Sequence, residues 1–163
     1  MLYTTVLDLD RQADLVRHAR HGVIEASGGR FRRLILRPWP KLVSLADVLL
    51  FGPRLHRRRR RDRCLLYYDQ PWGSPDYLAV KYLLAYGGTS YASVVAARRA
   101  IDEVARIKEA DALVCHVGNR RLSARIMSRW GWSPLNDSPR CSLFVRRFYG
   151  HYPPAVSTAS NPT

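Results

Sequence analysis

Apolar positions divide the 163-residue chain into alternating and helically spaced segments. Residues 77–86 form an apolar run typical of a central strand, and residues 112–117 form a shorter run of the same kind. Between them, apolar residues recur at helical spacing over 92–110, after a glycine turn. A strand, a turn and a helix follow again from residue 112. The pattern therefore predicts two parallel strands within a mixed α/β sheet flanked by helices.

The segments around this unit predict further elements. A first strand is expected over 3–9, followed by a helix that Asp10 caps and that runs through Val23. Other apolar or alternating runs predict strands over 31–36, 64–68 and 141–149 and helices over 42–51 and 120–130. Residues 153–163 carry three prolines among small and polar residues, which predicts a disordered tail. We expect one domain over residues 1–152.

Positive charge is the strongest feature of the composition. The formal net charge is +14, and 24 of the 27 basic residues are arginine. Because arginine binds phosphate through paired hydrogen bonds, a nucleotide cofactor, RNA, DNA or an acidic membrane surface would suit this charge. The charge is nearly as well explained by solubility alone.

Seven of the arginines fall within residues 54–63, and five of these are consecutive: Arg57, Arg58, Arg59, Arg60 and Arg61. No protein core accepts such a run without compensating charge, so we expect a solvent-facing loop. Its role is either that of a solvated connector or that of an anion-binding element.

No apolar run approaches the roughly 20 residues that a membrane-spanning helix needs, and the N-terminus lacks the pattern of a secretory signal. We therefore expect a soluble, cytoplasmic protein. Cys64, Cys115 and Cys141 are odd in number and widely spaced, which indicates buried free thiols rather than a disulfide or a metal site. His116 follows Cys115, but neighbours on a strand point to opposite faces and cannot act as a pair.

The turn at residues 87–90 lies between a predicted strand and a predicted helix, where unpaired helix amides favour phosphate. Gly87 and Gly88 would let a ligand approach the backbone, and the hydroxyls of Thr89 and Ser90 suit either a helix cap or a contact to phosphate. An ordinary capped turn has the same residues, so both interpretations stand.

The segment after the second parallel strand adds a family resemblance. Gly118-Asn119 ends that strand, a helix is predicted next, and Gly131-Trp132 follows the helix. In this order of elements, residues 77–149 resemble the GNAT family of acyl-CoA N-acyltransferases. The resemblance implies that the parallel strands splay apart around the pantetheine arm of acetyl-CoA or another acyl-CoA. It also implies a pyrophosphate site at Gly87, Gly88, Thr89 and Ser90, with Asn119 near the pantetheine.

Two positions depart from the pattern of that family. Its pyrophosphate signature, Gln or Arg followed by x-x-Gly-x-Gly or Ala, is replaced here by the paired glycines. Met127 stands where a tyrosine commonly protonates the leaving thiolate, and methionine has no proton to donate. The resemblance thus implies an acyltransferase-like protein whose catalysis is retained, altered or lost.

Candidate acids and bases show no partner in the sequence; they are Asp69, Asp76, Glu103, Asp111 and His116. The catalytic candidates are His116, on the strand before Asn119, and Glu103, on the helical face with Val95. A hydrogen-bonded structural histidine and a solvated helix carboxylate are the alternative interpretations, and the sequence does not identify a catalytic residue. The alternative function is a non-enzymatic module that binds RNA, DNA or ribosomes through the arginine run. A purely structural partner protein has no sequence feature in its favour.

Overall fold

The structure is a computed structural model that describes residues 3–39, 62–117, 123–136 and 142–154. The strands in these ranges are β1 (Thr4–Val6), β2 (His21–Ser27), β3 (Arg30–Arg37), β4 (Cys64–Asp69), β5 (Tyr77–Ala85), β6 (Ala112–His116), β7 (Ser133–Pro134) and β8 (Leu143–Arg147). The helices are α1 (Ala13–His18), α2 (Tyr91–Ile107) and α3 (Ala124–Arg129).

The strands form one mixed sheet in the order β1-β3-β2-β4-β5-β6-β8-β7. β5 and β6 pair in parallel, and every other neighbouring pair in this order is antiparallel. The long helix α2 contacts β2, β3 and β4, and α1 contacts α2. The predicted fold class, a mixed α/β sheet flanked by helices, is therefore confirmed.

Helix α2 covers one face of the sheet because its apolar residues recur at helical spacing. Ala97, Ile101 and Val104 are buried and belong to the same cluster as Ile24 of β2 and Leu66 of β4. Residues three and four positions apart share one side of a helix, so these side chains form a single stripe against the sheet. This packing fixes the position of the amino end of α2 relative to the central strands.

A buried ion pair joins α2 to the opposite half of the sheet. Arg146 of β8 lies with Nη2 3.2 Å from Oδ2 of Asp102 and donates through Nη1 to the carbonyl oxygen of Trp130, just after α3. Asp102 is 5% exposed. Burial raises its pKa to about 6, although the charges of Arg146 and Arg98 act in the opposite direction. Arg146 therefore holds the end of α3 against α2.

Most predicted elements of the central unit are confirmed. The strands expected over 31–36, 64–68, 77–86 and 112–117 correspond to β3, β4, β5 and β6, and the helix expected over 92–110 corresponds to α2. The predicted parallel pairing of β5 with β6 is also confirmed. Strand β8 lies within the predicted strand over 141–149, and α3 lies within the predicted helix over 120–130.

The predicted helix from Asp10 through Val23 is wrong. Helix α1 ends at His18, and Val23 lies in β2, between β3 and β4 in the sheet. Six of the seven β2 residues are buried. A strand buried on both faces lacks the alternation that marks a strand in the sequence, so its apolar residues resembled the continuation of a helix. Asp10 forms no helix cap and pairs with Arg106 instead.

Several predictions fall outside the described residues: the helix over 42–51, the arginines at 54–61, Asn119, Cys141 and most of the tail over 153–163. The other two cysteines, Cys64 and Cys115, are buried free thiols, as predicted. Burial raises the pKa of both thiols to about 12, which keeps them protonated and poorly nucleophilic at neutral pH.

Candidate functional site

The parallel strands β5 and β6 stay together for only part of their length. Their register runs from Tyr77 opposite Ala112 to Val80 opposite Cys115. Beyond that point β5 continues along β4, whereas the last residue of β6, His116, pairs with β8. The parallel register with β6 therefore ends at Val80, five residues before the end of β5 at Ala85.

A β-bulge lies where these strands part. Tyr67 of β4 is opposite Tyr82, but the next β4 residue, Tyr68, is opposite Val80. Lys81 is thus the extra residue and belongs to neither the β4 register nor the β6 register. Bulges interrupt the hydrogen-bonding ladder and are frequent next to active sites. A backbone amide released from a ladder can donate to a developing oxyanion.

The turn after β5 is held together by its hydroxyl groups. Thr89 Oγ1 accepts a hydrogen bond from the Tyr86 amide at 2.7 Å and donates to the Arg63 carbonyl at 2.5 Å. Ser90 caps α2, with Oγ accepting from the Ser93 amide at 3.2 Å. Gly87 and Gly88 are exposed. Because both hydroxyls are engaged within the protein, the glycine backbone is the part of the turn most open to a ligand.

A carboxylate of the chain itself occupies the amino end of α2. Asp62 Oδ1 accepts from the Ser90 amide at 2.8 Å, and Oδ2 accepts from the Ser90 hydroxyl and the Gly28 amide, each at 2.9 Å. The hydrogen bond from the Ser90 amide is the main reason that the pKa of Asp62 lies below its ordinary value. A phosphate that used the Ser90 amide would have to displace this carboxylate.

The structure therefore brings the predicted residues of the turn together. It also shows that Asp62 would compete with a phosphate for the Ser90 amide, which the sequence did not reveal. Gly87, Gly88, Thr89 and Ser90 form one turn at the amino end of α2. The contact with Asp62 was missed because an acidic residue within an arginine run carries no signal that it caps a distant helix.

A second polar cluster lies beside the bulge. His21 and Asp69 are opposite each other across β2 and β4, with Nδ1 2.7 Å from Oδ1. The two atoms meet the distance of an ion pair without the alignment of a hydrogen bond. The other carboxylate oxygen of Asp69 lies 4.0 Å from Lys81 Nζ. Asp69 thus has partners that were not visible in the sequence, because strand pairing brings together residues that are distant along the chain.

The two predicted catalytic candidates, His116 and Glu103, make no contact with each other within the described ranges. His116 is exposed at the end of β6, where the parallel strands part, and its Nε2 lies 3.1 Å from Ser142 Oγ. Glu103 lies roughly 18 Å along α2 from the start of that helix. It accepts a hydrogen bond from Arg106 Nε at 2.8 Å and lines a groove of about 650 Å³ beside α2.

Neither a metal site nor a membrane-spanning helix is found in the part of the chain that the structure describes. No group of three or more His, Cys, Asp or Glu side chains there is arranged to hold a metal ion. Likewise, no described helix is both long enough and apolar enough to cross a membrane.

Comparisons with known proteins give a distant structural likeness. No protein-family model matches the sequence, and no curated protein sequence is detectably similar to it. The structure is similar to the crystal structure of nourseothricin acetyltransferase, with 14% sequence identity, a TM-score of 0.36, and coverage of 90% of this chain and 99% of that chain. A likeness at this TM-score does not establish a common family.

Proposed function

We propose that this chain is an acyl-CoA-dependent N-acyltransferase-like protein whose cofactor arm lies between the parted ends of β5 and β6. The observation that carries this proposal is that β5 and β6 separate beyond Val80 and Cys115, beside the bulge at Lys81. Parallel strands that separate at their carboxyl ends expose backbone groups to an extended ligand, and ligands of α/β sheets commonly bind beyond those ends.

The phosphate end of the cofactor belongs, in this proposal, at the turn that follows β5. The exposed backbone of Gly87 and Gly88 supplies amides, and Thr89 fixes the shape of the turn through its contacts with Tyr86 and Arg63. Asp62 competes for the Ser90 amide, so binding there exchanges one anion for another. Asn119 is proposed to lie near the pantetheine.

The arginine run is proposed to contribute positive charge to the same end of the site. Asp62 directly follows Arg61 in the chain and contacts Ser90, and the next residue, Arg63, accepts a hydrogen bond from Thr89. The arginine run is therefore adjacent in sequence to two residues that contact the turn. Arginine side chains pair bidentately with phosphate, which suits the several phosphate groups of CoA.

The reaction proposed for this arrangement is direct transfer of the acyl group to an amine. The amine nitrogen attacks the thioester carbon, a strand amide at the bulge stabilises the oxyanion, and the CoA sulfur leaves as a thiolate. Met127 is buried in the core at 3% exposure and has no proton to give to that thiolate. Its protonation therefore falls to water or to another donor.

Thermal unfolding in the presence of acetyl-CoA tests this proposal. A ligand at about 100 times its Kd stabilises the folded state by about 2.7 kcal/mol, a rise in Tm of roughly 5–10 °C for a chain of this size. Gly88→Glu should abolish the rise by placing bulk and negative charge at the phosphates. Gly73→Glu is the matched control, because a side chain at Gly73 meets nothing within 4 Å. No rise in the unmodified protein at millimolar acetyl-CoA would contradict the proposal.

The alternative of a nucleic-acid-binding module is not favoured by any contact among the described residues. It depends on Arg57 to Arg61, which lie outside them. The acyltransferase proposal, in contrast, depends on strands and a turn that the structure describes.

A further inference from the structure

A small cavity lies beside the bulge, on the sheet face that carries His21. Its volume is about 30 Å³, enough for roughly one water molecule. The polar side chains that line it come from four neighbouring strands; they are His21, Arg37, Tyr67, Tyr68, Asp69, Lys81 and Tyr82. Lys81 is also the first β5 residue past the point where β5 and β6 part. The cavity therefore lies next to the point where β5 and β6 part, which is where the proposed cofactor site begins.

The histidine at this cavity is buried, and one of its ring nitrogens lies beside a carboxylate. The side chain of His21 is 9% exposed and that of Asp69 is 19% exposed, and Nδ1 of the ring faces Asp69 at 2.7 Å. A proton on Nδ1 is favoured beside a carboxylate, and this leaves the lone pair of a neutral imidazole on Nε2. A histidine positioned in this way by an acidic residue is the usual form of a general base.

We infer that His21 is the general base that removes a proton from a primary-amine acceptor, with Asp69 as its positioning residue. The inference rests on the proposed acyl transfer. Amines are largely protonated at neutral pH, and an ammonium group has no lone pair for attack. An acyltransferase acting on such an acceptor therefore needs a base near the thioester.

The surroundings of His21 also suit an ammonium acceptor. The Tyr67 and Tyr82 rings pack edge to face, with centroids 6.4 Å apart, and the carboxylate of Asp69, 4.0 Å from Lys81 Nζ, provides negative charge. Aromatic rings and a carboxylate both attract a cation. The titratable and charged groups that line the cavity with His21 are Asp69 on β4, Arg37 on β3, Lys81 on β5 and the phenols of Tyr67, Tyr68 and Tyr82.

Atoms and protons balance in the reaction that follows. The ammonium gives one proton to Nε2 of His21, and the neutral nitrogen then forms a bond to the thioester carbon. The carbon–sulfur bond breaks as the intermediate collapses. The second nitrogen proton neutralises the CoA thiolate, and His21 releases the first proton to solvent. The products are an amide, CoA with a free thiol, and one proton.

The rival base, His116, lies on β6, and its surroundings differ from those of His21. It is exposed, and its Nε2 contacts Ser142 rather than a carboxylate. Glu103 is engaged with Arg106 on α2. Only His21 combines burial, an acidic partner and contact with the cavity at Lys81 among the described histidines.

Two acceptors of different basicity separate a base from a merely structural residue. CoA release from acetyl-CoA is measured at neutral pH with n-butylamine, which is protonated, and with hydroxylamine, which is mostly neutral. His21→Gln and Asp69→Asn are compared with His116→Gln, the rival, and with His18→Gln, an exposed histidine on α1. Acetyl-CoA affinity of each variant is measured in parallel by calorimetry.

If His21 is the base, His21→Gln should lower kcat/KM with butylamine by about 100-fold or more, while the rate with hydroxylamine stays within about threefold. Asp69→Asn should lower kcat/KM with butylamine selectively as well, but by less, and His18→Gln should leave both rates unchanged. Both rates are corrected for the reaction without enzyme, because hydroxylamine attacks thioesters unaided, and retained acetyl-CoA binding in the calorimetry shows that the variants fold.

The outcomes distinguish this inference from the proposed function. Butylamine transfer unchanged in His21→Gln, lost only in His116→Gln, or lost equally with both acceptors would overturn the role of His21 while leaving acyl transfer intact. Acetyl-CoA binding without transfer to either amine would also overturn it. Absence of acetyl-CoA binding would overturn the proposed function, and this inference with it.

Discussion

Arg146→Met should strongly destabilise the fold at neutral pH. The substitution leaves Asp102 without its nearest cation at 5% exposure and removes the donor to the Trp130 carbonyl. Removing one partner of a buried ion pair costs about 3–5 kcal/mol because the remaining charge stays desolvated. Each kcal/mol lowers Tm by about 2–4 °C in a chain of this size, so the expected fall is roughly 6–20 °C.

Thermal melting followed by circular dichroism measures this fall. Arg147→Met is the matched control, because Arg147 is the next residue of β8 and is exposed. It should change Tm little. The double substitution Asp102→Leu with Arg146→Met should recover much of the lost stability, since apolar residues often replace a buried pair without loss.

The pH dependence of the effect is equally specific. Asp102 has a pKa of about 6 in the folded protein, so at about pH 5 most of its charge is already neutralised and the penalty of losing Arg146 should shrink. The reasoning is refuted if Arg146→Met is no more destabilising than Arg147→Met, or if its effect is the same at both pH values.

Three other substitutions test the buried carboxylate of Asp102, the packing at Gly22 and the turn at the amino end of α2. Asp102→Asn should flatten the pH dependence of the unfolding free energy in the acid range. The pKa of Asp102 is raised from 3.8 to about 6 in the folded protein, so the protonated carboxyl stabilises the fold fully below pH 3.8. About 3 kcal/mol of that stabilisation is lost as the pH rises through about 6. Denaturant unfolding at several pH values measures this, and an unchanged profile would count against it. Gly22→Ala should cost about 1–3 kcal/mol, because the added Cβ would lie 2.5 Å from the buried Tyr68 ring; a melting temperature equal to that of the unmodified protein would contradict the close approach. Asp62→Asn should tighten acetyl-CoA binding about fivefold in calorimetry, because an uncharged side chain competes less with phosphate for the Ser90 amide; equal or weaker binding would show that Asp62 acts only as a cap.

The elements with long, regular patterns could be predicted from the sequence. Helix α2 shows helical spacing over 17 residues, and β5 is an apolar run of nine residues beside a glycine turn. Their order also predicted the parallel partner β6. Strand β2 was missed, because a strand buried on both faces has no polar face to set its period.

The contacts within the candidate site were less accessible to sequence reasoning. The turn at 87–90 could be predicted from its glycines and hydroxyls, but the contact of Asp62 with Ser90 depends on how β4 enters the sheet. The contact between His21 and Asp69 depends on the register of β2 with β4. With His21 assigned to a helix, no sequence pattern could have placed it opposite Asp69.

Titration of the protein with acetyl-CoA, followed by backbone amide NMR shifts, tests the central claim most directly. The claim is that the ligand lies between the parted ends of β5 and β6. It predicts that the largest shifts fall on Lys81, Gly87 and Gly88, with smaller shifts at the carboxyl end of β6. Saturable shifts confined to the groove beside α2, or no shifts at all, would contradict it.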